Sequence, residues 1–335
     1  MKISASIYSD KGRTLQEVVS ELEQNEIDFF HIDCNDNLSV FEDIDAIRKL
    51  SKKPIDLHII SSETDKYIPY LKEREIDFVT FQYEQLPKDF QFPKDVSSKF
   101  GLAITSDTPI DVYEKHKDDC SFILFMATTP GQSGGKFNKE NFKKIRAFQK
   151  KYPTAKIHVD GGVNAEVSFI LRNMGVYSSV SGSYLFTDGG VGKAVMSLKA
   201  SDVDSHFQIK DFMIEKEEMP LVSETEQNFK NIVISIDQHK MGFTILTDNN
   251  NKMKGIVSNA DIRKALIKKF DDLNTINVND LINPSPVVIN ENNTVREMLR
   301  LIKSKNFPIM YVPVVNDSHE ATGVVTFMNL IKGEL

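Results

Sequence analysis

Over the first two hundred residues, short β-rich runs recur, and longer polar stretches of helical period separate most of them. The runs fall at 2–8, 27–33, 55–60, 76–82, 100–104, 121–127, 156–160 and 177–182. The helical stretches include Thr14–Gln24, Asn138–Lys151 and Ala165–Met174. Eight strands alternating with helices in about 200 residues predict an α/β fold of the (β/α)8 kind, a TIM barrel, with a doubly wound open sheet as the structural rival. One echo supports repetition: Glu26-Ile27-Asp28-Phe29 and Glu75-Ile76-Asp77-Phe78 each enter a strand from a helix end.

Beyond residue 200 the texture changes. Ser201–Gln208 is polar and without clear period, so a linker is expected over 201–209, between a barrel at 1–200 and a second region at 210–335. That region repeats itself. Lys254-Gly255-Ile256-Val257-Ser258-Asn259-Ala260-Asp261-Ile262 ends one unit, and Thr322-Gly323-Val324-Val325-Thr326-Phe327-Met328-Asn329-Leu330 ends another. Each follows a β-rich run and a polar turn, and each continues into residues that favour helix. The spacing of about seventy residues predicts two small α+β modules packed on one another.

A chain of 335 residues has room for about two domains. The net charge of −7 lacks the basic footprint of a nucleic-acid-binding protein, though a local pocket can still hold a small anion. Two cysteines, Cys34 and Cys120, are too few for a disulfide framework or a Cys-based zinc site, and they point to a reducing compartment. The opening residues lack a long apolar stretch, and no apolar run approaches the ~20 residues that span a bilayer. The expectation is a cytoplasmic protein with no membrane partner.

Histidines and aspartates gather at strand ends. His31-Ile32-Asp33 ends the second run, Asp56-Leu57-His58 lies on the third and Ile157-His158-Val159-Asp160 ends the seventh. Side chains alternate along a strand, so His31 and Asp33 share a face. In a barrel that face can point inward, at the C-terminal end where active sites form. His31, Asp33, His58 and Asp160 supply two imidazoles and two carboxylates, a donor set suited to zinc, iron or manganese. A satisfied polar pair is the plainer reading of an isolated His-x-Asp. His158 shares the parity of Asp160 but lies deeper, so it is expected to fill the barrel or support the site.

Glycines form the second signal. Pro130-Gly131-Gln132-Ser133-Gly134-Gly135-Lys136-Phe137 follows the sixth run, Gly161-Gly162 the seventh and Gly182-Ser183 the eighth. Glycines let backbone amides approach an anion, and the last loops of a barrel commonly hold phosphate. Ordinary βα turns also favour glycine.

These stretches, together with Ser6-Ile7-Tyr8-Ser9, Gly101-Leu102-Ala103-Ile104, Thr108-Pro109 and Val159-Asp160-Gly161-Gly162-Val163-Asn164, resemble the ribulose-phosphate 3-epimerase family, in the family's order. The resemblance implies a metal on His31, Asp33, His58 and Asp160, with Asp33 and Asp160 as the two acid/bases. It implies phosphate loops at Gly161, Gly162, Gly182 and Ser183, and Ser6, Gly131 and Gly134 join them as candidate substrate contacts. The implied reaction inverts C3 of a ketose phosphate: one carboxylate removes the proton beside the carbonyl and the other returns one to the opposite face. Three departures surround the sugar. Asn35 stands where the family has Met, Gln82 where a His is expected, and Gln132, Ser133 and Gly135 alter the mobile loop. They leave ribulose 5-phosphate itself open as the substrate, and a barrel that only senses sugar phosphate is the rival.

The region 210–335 resembles a tandem CBS-domain pair. Gly255-Ile256-Val257-Ser258-Asn259-Ala260-Asp261 fits that family's nucleotide motif, which implies a hydroxyl on phosphate (Ser258) and a carboxylate on ribose (Asp261). The second copy keeps Thr326 and has Asn329 in the Asp position. An adenine or other regulatory nucleotide is the implied partner, a purely structural dimerisation module the rival, and both families imply a homo-oligomer. His116, His206, His239 and His319 are expected to be solvated, as are the lysine pairs Lys143-Lys144 and Lys268-Lys269. Cys34 is expected to point away from His31 and Asp33.

Overall fold

The computed structural model describes residues 1–187, 189–200 and 206–328. Their backbone forms two compact units, residues 1–200 and 206–328.

The first unit is a closed parallel barrel of eight strands in chain order. They are β1 (Lys2–Ser6), β2 (Phe29–Asn35), β3 (Ile55–Ile60), β4 (Phe78–Gln82), β5 (Lys99–Thr105), β6 (Phe122–Met126), β7 (Lys156–Asp160) and β8 (Ser178–Ser181). Closure comes from β8 pairing with β1, with Ser178 opposite Lys2 and Ser181 opposite Ala5. The expected open-sheet rival is thereby excluded. Six helices follow β1, β2, β3, β6, β7 and β8 in turn: α1 (Leu15–Gln24), α2 (Val40–Leu50), α3 (Ile68–Glu73), α4 (Glu140–Lys151), α5 (Ala165–Asn173) and α6 (Gly190–Lys199). After β4 and β5 only short 3-10 turns form, Tyr83–Gln85 and Ile110–Lys115. Prolines at 87, 93 and 109 lie in these connections, where a missing N–H and a fixed ring oppose a regular helix.

Local chemistry sets the element ends. Thr14 caps α1 and Glu17 returns the bond to the Thr14 amide, a capping box. The Glu-Ile-Asp-Phe echo marks a repeated device at the strands' N-terminal ends. Asp28 accepts the Ile3 amide at 2.8 Å, and Asp77 accepts the Ile55 amide at 2.9 Å. Each carboxylate thus satisfies an amide of the preceding strand and also takes a cation, Lys2 or Arg48. The phenylalanines that follow, Phe29 and Phe78, meet inside the barrel with centroids 5.1 Å apart. Phe122 completes this lower plug. Its ring fills the place of a side chain at Gly101, where an added Cβ would lie 2.2 Å away.

The second unit contains β9 (Ile214–Glu215), β10 (Leu221–Val222), α7 (Phe229–His239), β11 (Phe243–Thr247), β12 (Met253–Ser258), α8 (Asn259–Lys268), α9 (Val278–Leu281), β13 (Ile289–Asn290), α10 (Val295–Lys303), β14 (Tyr311–Val315) and β15 (Ala321–Thr326). They make two sheets, β10-β11-β12 and β13-β14-β15-β9. The sequence repeat is visible as two antiparallel hairpins, β11–β12 and β14–β15. Their turns use one device: Asp248 accepts the amides of Asn250 and Lys252, and Asn316 those of Ser318 and Glu320. The hairpin tips exchange bonds, Met253 N–H to the His319 carbonyl and Ala321 N–H to the Asn251 carbonyl. Between the hairpins one core joins Phe243, Ile245 and Met253 to Val315, Ala321 and Val324.

Of the linker expected over 201–209, residues 201–205 lie outside the described residues. Gln208 and Ile209 are part of the second unit: Gln208 bridges to Thr294, and the fully buried Ile209 donates to the Asn293 carbonyl at 2.8 Å. Polarity hid this, because Ile209 stands at the end of a largely polar stretch. No described helix is long and apolar enough to cross a membrane.

Candidate active site at the C-terminal end of the barrel

Strand register brings the expected quartet together. His31 lies opposite Asp56 and Asp33 opposite His58 on β2 and β3, while Asp160 ends β7. One donor atom from each of His31, Asp33, His58 and Asp160 lies within 4.8 Å of the others. Both imidazoles are fully buried, whereas the side chains of Asp33 and Asp160 keep 17% and 16% of their surface exposed. The carboxylates therefore stand on the open side of the quartet and the imidazoles form its floor.

The outer partners decide which ring nitrogens carry protons. His31 Nδ1 stands 2.9 Å from Asp56 Oδ2, which also accepts the Ser4 hydroxyl at 3.0 Å. Burial opposes the charge of Asp56, but His31 and Ser4 outweigh it and hold the carboxyl below its ordinary range. A carboxylate only accepts, so His31 Nδ1 carries a hydrogen, and Nε2 is the nitrogen that can hold either a proton or a metal. Nε2 faces Asp33 Oδ1 at 3.3 Å and Asp160 Oδ2 at 3.7 Å. His58 repeats the arrangement in mirror form. Its Nε2 stands 2.8 Å from the Gln82 amide oxygen, and its Nδ1 faces Asp33 Oδ1 at 3.2 Å. Electron pairs from two rings and two carboxylates thus converge, an arrangement stable only around a proton or a metal cation. The donor set fits a divalent transition metal.

The two carboxylates are driven apart in acidity. Burial works against the charge of Asp33, but His31 and His58 outweigh it and hold the carboxyl well below the usual range. Burial, aided by Asp33 and opposed by His31, pushes Asp160 up to about 6. Burial also works against a charge on His31, yet Asp56 and Asp33 hold it well above its ordinary value.

The glycine loops meet around the same mouth. A Cβ on Gly131 would strike the Asn35 amide at 2.3 Å, one on Gly161 the Thr128 hydroxyl at 2.2 Å, and one on Gly182 the Ser9 hydroxyl at 2.2 Å. Gly162 has φ +66° and its Cβ position lies 2.2 Å from the Phe137 amide nitrogen, so two loops close onto each other only with glycine there. Gly134 faces open space. Ser6 accepts from Ser9, which accepts from Ser133 of the loop after β6. Ser183 is exposed in the turn after β8. Loop packing by itself therefore accounts for glycine at 131, 161, 162 and 182.

In the second unit Ser258 is the N-cap of α8, and Asp261 returns its carboxylate to the Ser258 amide at 3.0 Å. Ser258 and Asp261 thus form a capping box, a role that Ser-x-x-Asp before a helix announces. Thr326 is half-buried at the end of β15, and Asn329 lies outside the described residues.

Four expectations change. Lys269 is half-buried, with its ammonium on Asp280 at 2.6 Å and on the Thr275 carbonyl at 2.7 Å. Lys144 is not a solvated helix residue: it reaches from α4 to the carbonyls of Thr105 and Ser106 at 2.5 and 3.1 Å, and to that of Thr108. Burial lowers its ammonium to about 8. His116 is half-buried against the rings of Phe92 and Tyr83 rather than solvated. His239 is half-buried with Nδ1 2.8 Å from the Ser235 carbonyl. Cys34 points away from the quartet and donates to the Asn37 carbonyl. The one sequence sign of the supporting role of Asp56 is its parity with His58 in Asp-x-His, which mirrors His31-x-Asp33.

Comparison with known proteins decides the lineage of the barrel. The model of the ribulose-phosphate 3-epimerase family matches residues 2–186. The chain belongs to that family. A ribulose-phosphate 3-epimerase of Methanocaldococcus jannaschii is 31% identical over 64% of this chain and 95% of its own length. Another, of Bacillus subtilis, is 29% identical over 60% of this chain and 99% of its own length. The CBS domain model matches residues 278–334. Solved structures similar to this part of the chain include CBSX2 in complex with AMP (23% identity, TM-score 0.32, 38% of this chain and 96% of that one). The CbpB protein of Listeria monocytogenes in complex with c-di-AMP is another (22% identity, TM-score 0.32, 38% and 93%). The protein is thus a ribulose-phosphate 3-epimerase-like isomerase, a (β/α)8 barrel followed by an α+β CBS region.

Proposed function

We propose that the barrel inverts C3 of a ketose phosphate by two-base proton transfer, with Asp33 and Asp160 as the bases and His31, Asp33, His58 and Asp160 holding a divalent metal. The observation that carries the reading is the placement of two carboxylates, Asp33 and Asp160, side by side on the open face above the buried His31 and His58. Two carboxylates at one site can act in turn as base and acid. Asp33, ionised, takes the proton beside the substrate carbonyl. Asp160 delivers a proton to the opposite face, and the roles exchange in the reverse direction. A bound divalent cation supplies Lewis-acid stabilisation of negative charge developing on the substrate oxygens. Asp56 and Gln82 keep the two imidazole lone pairs turned inward throughout. Backbone amides at Gly161, Gly162 and Gly182, with Ser183, hold the phosphate, and Ser6, Gly131 and Gly134 line the sugar.

Family membership supports the reaction class, and the polar groups Asn35 and Ser133 at the mouth favour a ketose phosphate other than ribulose 5-phosphate as a second possibility within it. The test is solvent-deuterium incorporation at C3 across a panel of ketose phosphates. Asp33→Asn and Asp160→Asn are each expected to cut exchange by about 10²–10⁴-fold while leaving the thermal transition in place. Full exchange in either variant overturns the two-base mechanism.

For the second unit the reading is a regulatory nucleotide module, supported by the CBS match and by the Gly255–Asp261 motif. Ser258 and Asp261 would have to contact the ligand while retaining their bonds at the N-terminus of α8. A rise in melting temperature with an adenine nucleotide, lost in Asp261→Ala, is the expected result.

A further inference from the structure

Outside the quartet, one chain of polar contacts runs from His58 to the far side of the barrel wall. Gln82 ends β4, and its amide oxygen faces His58 Nε2 at 2.8 Å. The Gln82 amide nitrogen donates to Glu84 Oε2. The other oxygen of Glu84 accepts the Thr105 amide at 2.9 Å, the Thr105 hydroxyl at 3.1 Å and the Thr108 hydroxyl. The carbonyls of that same Thr105–Thr108 turn receive Lys144. An anion and a cation therefore grip one turn from its two sides, the anion through its donors and the cation through its acceptors.

The chain has a direction. Burial opposes the charge of Glu84, but the Thr105 amide, the Thr108 hydroxyl and Gln82 outweigh it and hold the carboxyl below its ordinary range. An ionised carboxylate offers no hydrogen, so Gln82 must present its NH2 to Glu84 and its oxygen to His58. His58 Nε2 must then carry a hydrogen, which leaves Nδ1, on the side of Asp33, as the nitrogen open to a metal. We infer that Glu84 is a positioning residue that selects the His58 tautomer through Gln82 and so presets the metal-binding nitrogen. The Thr105–Thr108 turn and Lys144 fix Glu84 in its place. The consequence for metal affinity rests on His58 being a ligand as proposed above; the tautomer does not.

Glu84→Gln keeps shape and volume but restores a donor, so the direction of the Gln82 amide is no longer dictated. Gln82→Met keeps the length and removes the acceptor. Two readouts are compared with wild type. One is the imidazole ¹⁵N spectrum of His58 in metal-free protein, and the other is zinc affinity by competition with a chromophoric chelator. With the ring neutral, wild type is expected to show the Nε2–H form, although the Asp33 carboxylate faces Nδ1. Gln82→Met is expected to mix the two forms and weaken zinc by about 10–100-fold. Glu84→Gln is expected to fall between, with a mixed spectrum and zinc weakened about threefold to tenfold. A Glu84→Gln protein with a purely Nε2–H His58 and wild-type zinc affinity overturns the inference. Were wild type to bind no zinc at all, the metal reading would fall, and the ¹⁵N comparison would still decide the role of Glu84.

Discussion

The two ends of the barrel each bury a histidine, and they treat it in opposite ways. At the upper end His31 has both nitrogens engaged, with Asp56 behind and Asp33 in front. At the lower end His158 is equally buried, yet neither ring nitrogen has a hydrogen-bond partner. Its ring stacks on Phe122 with centroids 4.1 Å apart and lies beside Tyr177 at 5.4 Å. Carboxylates hold the pKa of His31 well above the ordinary value against its burial, while burial drives that of His158 down to about 4. One residue type thus serves as a charged-site component above and as a flat apolar filler below. Which role it takes is set by whether a carboxylate shares its layer.

The sharpest way to break this separation is at the plug. Phe122 touches His158 and Phe78 and fills the gap over Gly101. Phe122→Ala leaves a cavity that its rigid neighbours cannot fill, and a loss of about 3–5 kcal/mol is expected in denaturant unfolding. Zinc affinity of the folded protein should stay within about twofold of wild type, since the quartet is held from its own strands and by Asp56 and Gln82. A parallel loss of zinc binding would show that the plug also shapes the site.

Asp56 lies between the two layers and tests the comparison from the other side. Its Oδ2 serves His31 and Ser4, whereas Oδ1 has no hydrogen-bond partner. Asp56→Asn replaces an obligate acceptor by a group that can donate to His31 Nδ1 and so release the ring into the wrong tautomer. Zinc affinity is expected to fall by about 10–100-fold. Titration with the metal alone checks this, and an unchanged affinity would mean that the His31 tautomer is fixed without Asp56.

The difference between the ends also explains what was legible in the chain. The barrel followed from the spacing of β-rich runs, and the quartet from period-two parity at strand ends, because both depend on near neighbours in sequence. The support for the quartet depends on register between strands. Asp56 on β3 serves a histidine on β2, and Gln82 on β4 serves one on β3, so neither contact has a local signature. The lower plug was half legible: the Glu-Ile-Asp-Phe echo showed a repeated device, but not that its two phenylalanines meet. Lys144 reads as solvated because a lysine on an amphipathic helix usually reaches water, and only the bend after β5 brings carbonyls within its reach. At Ser258 and Asp261 one motif carries two meanings, a helix cap and a nucleotide contact, and the cap is the one formed by the chain's own bonds.

The smallest expected effect is a dependence on pH from the lower end. His158 in the folded protein titrates near 4, against about 6.5 for an unfolded histidine. Its folded value is depressed, so between these limits the unfolded chain binds more protons. The neutral ring therefore contributes stability that is present above pH 6.5 and is lost as pH falls toward 4. Integrated between pH 7 and pH 5, the loss is about 2 kcal/mol. Carboxylates elsewhere also titrate over this range, so the informative quantity is a difference between two proteins. His158→Leu keeps an apolar group in the plug and removes the titration. Denaturant unfolding of metal-free protein at the two pH values should show the wild type losing about 2 kcal/mol more than the variant. Equal losses would mean that a buried solvent molecule or the free oxygen of Asp56 already satisfies His158, and the ends of the barrel would then differ in degree only.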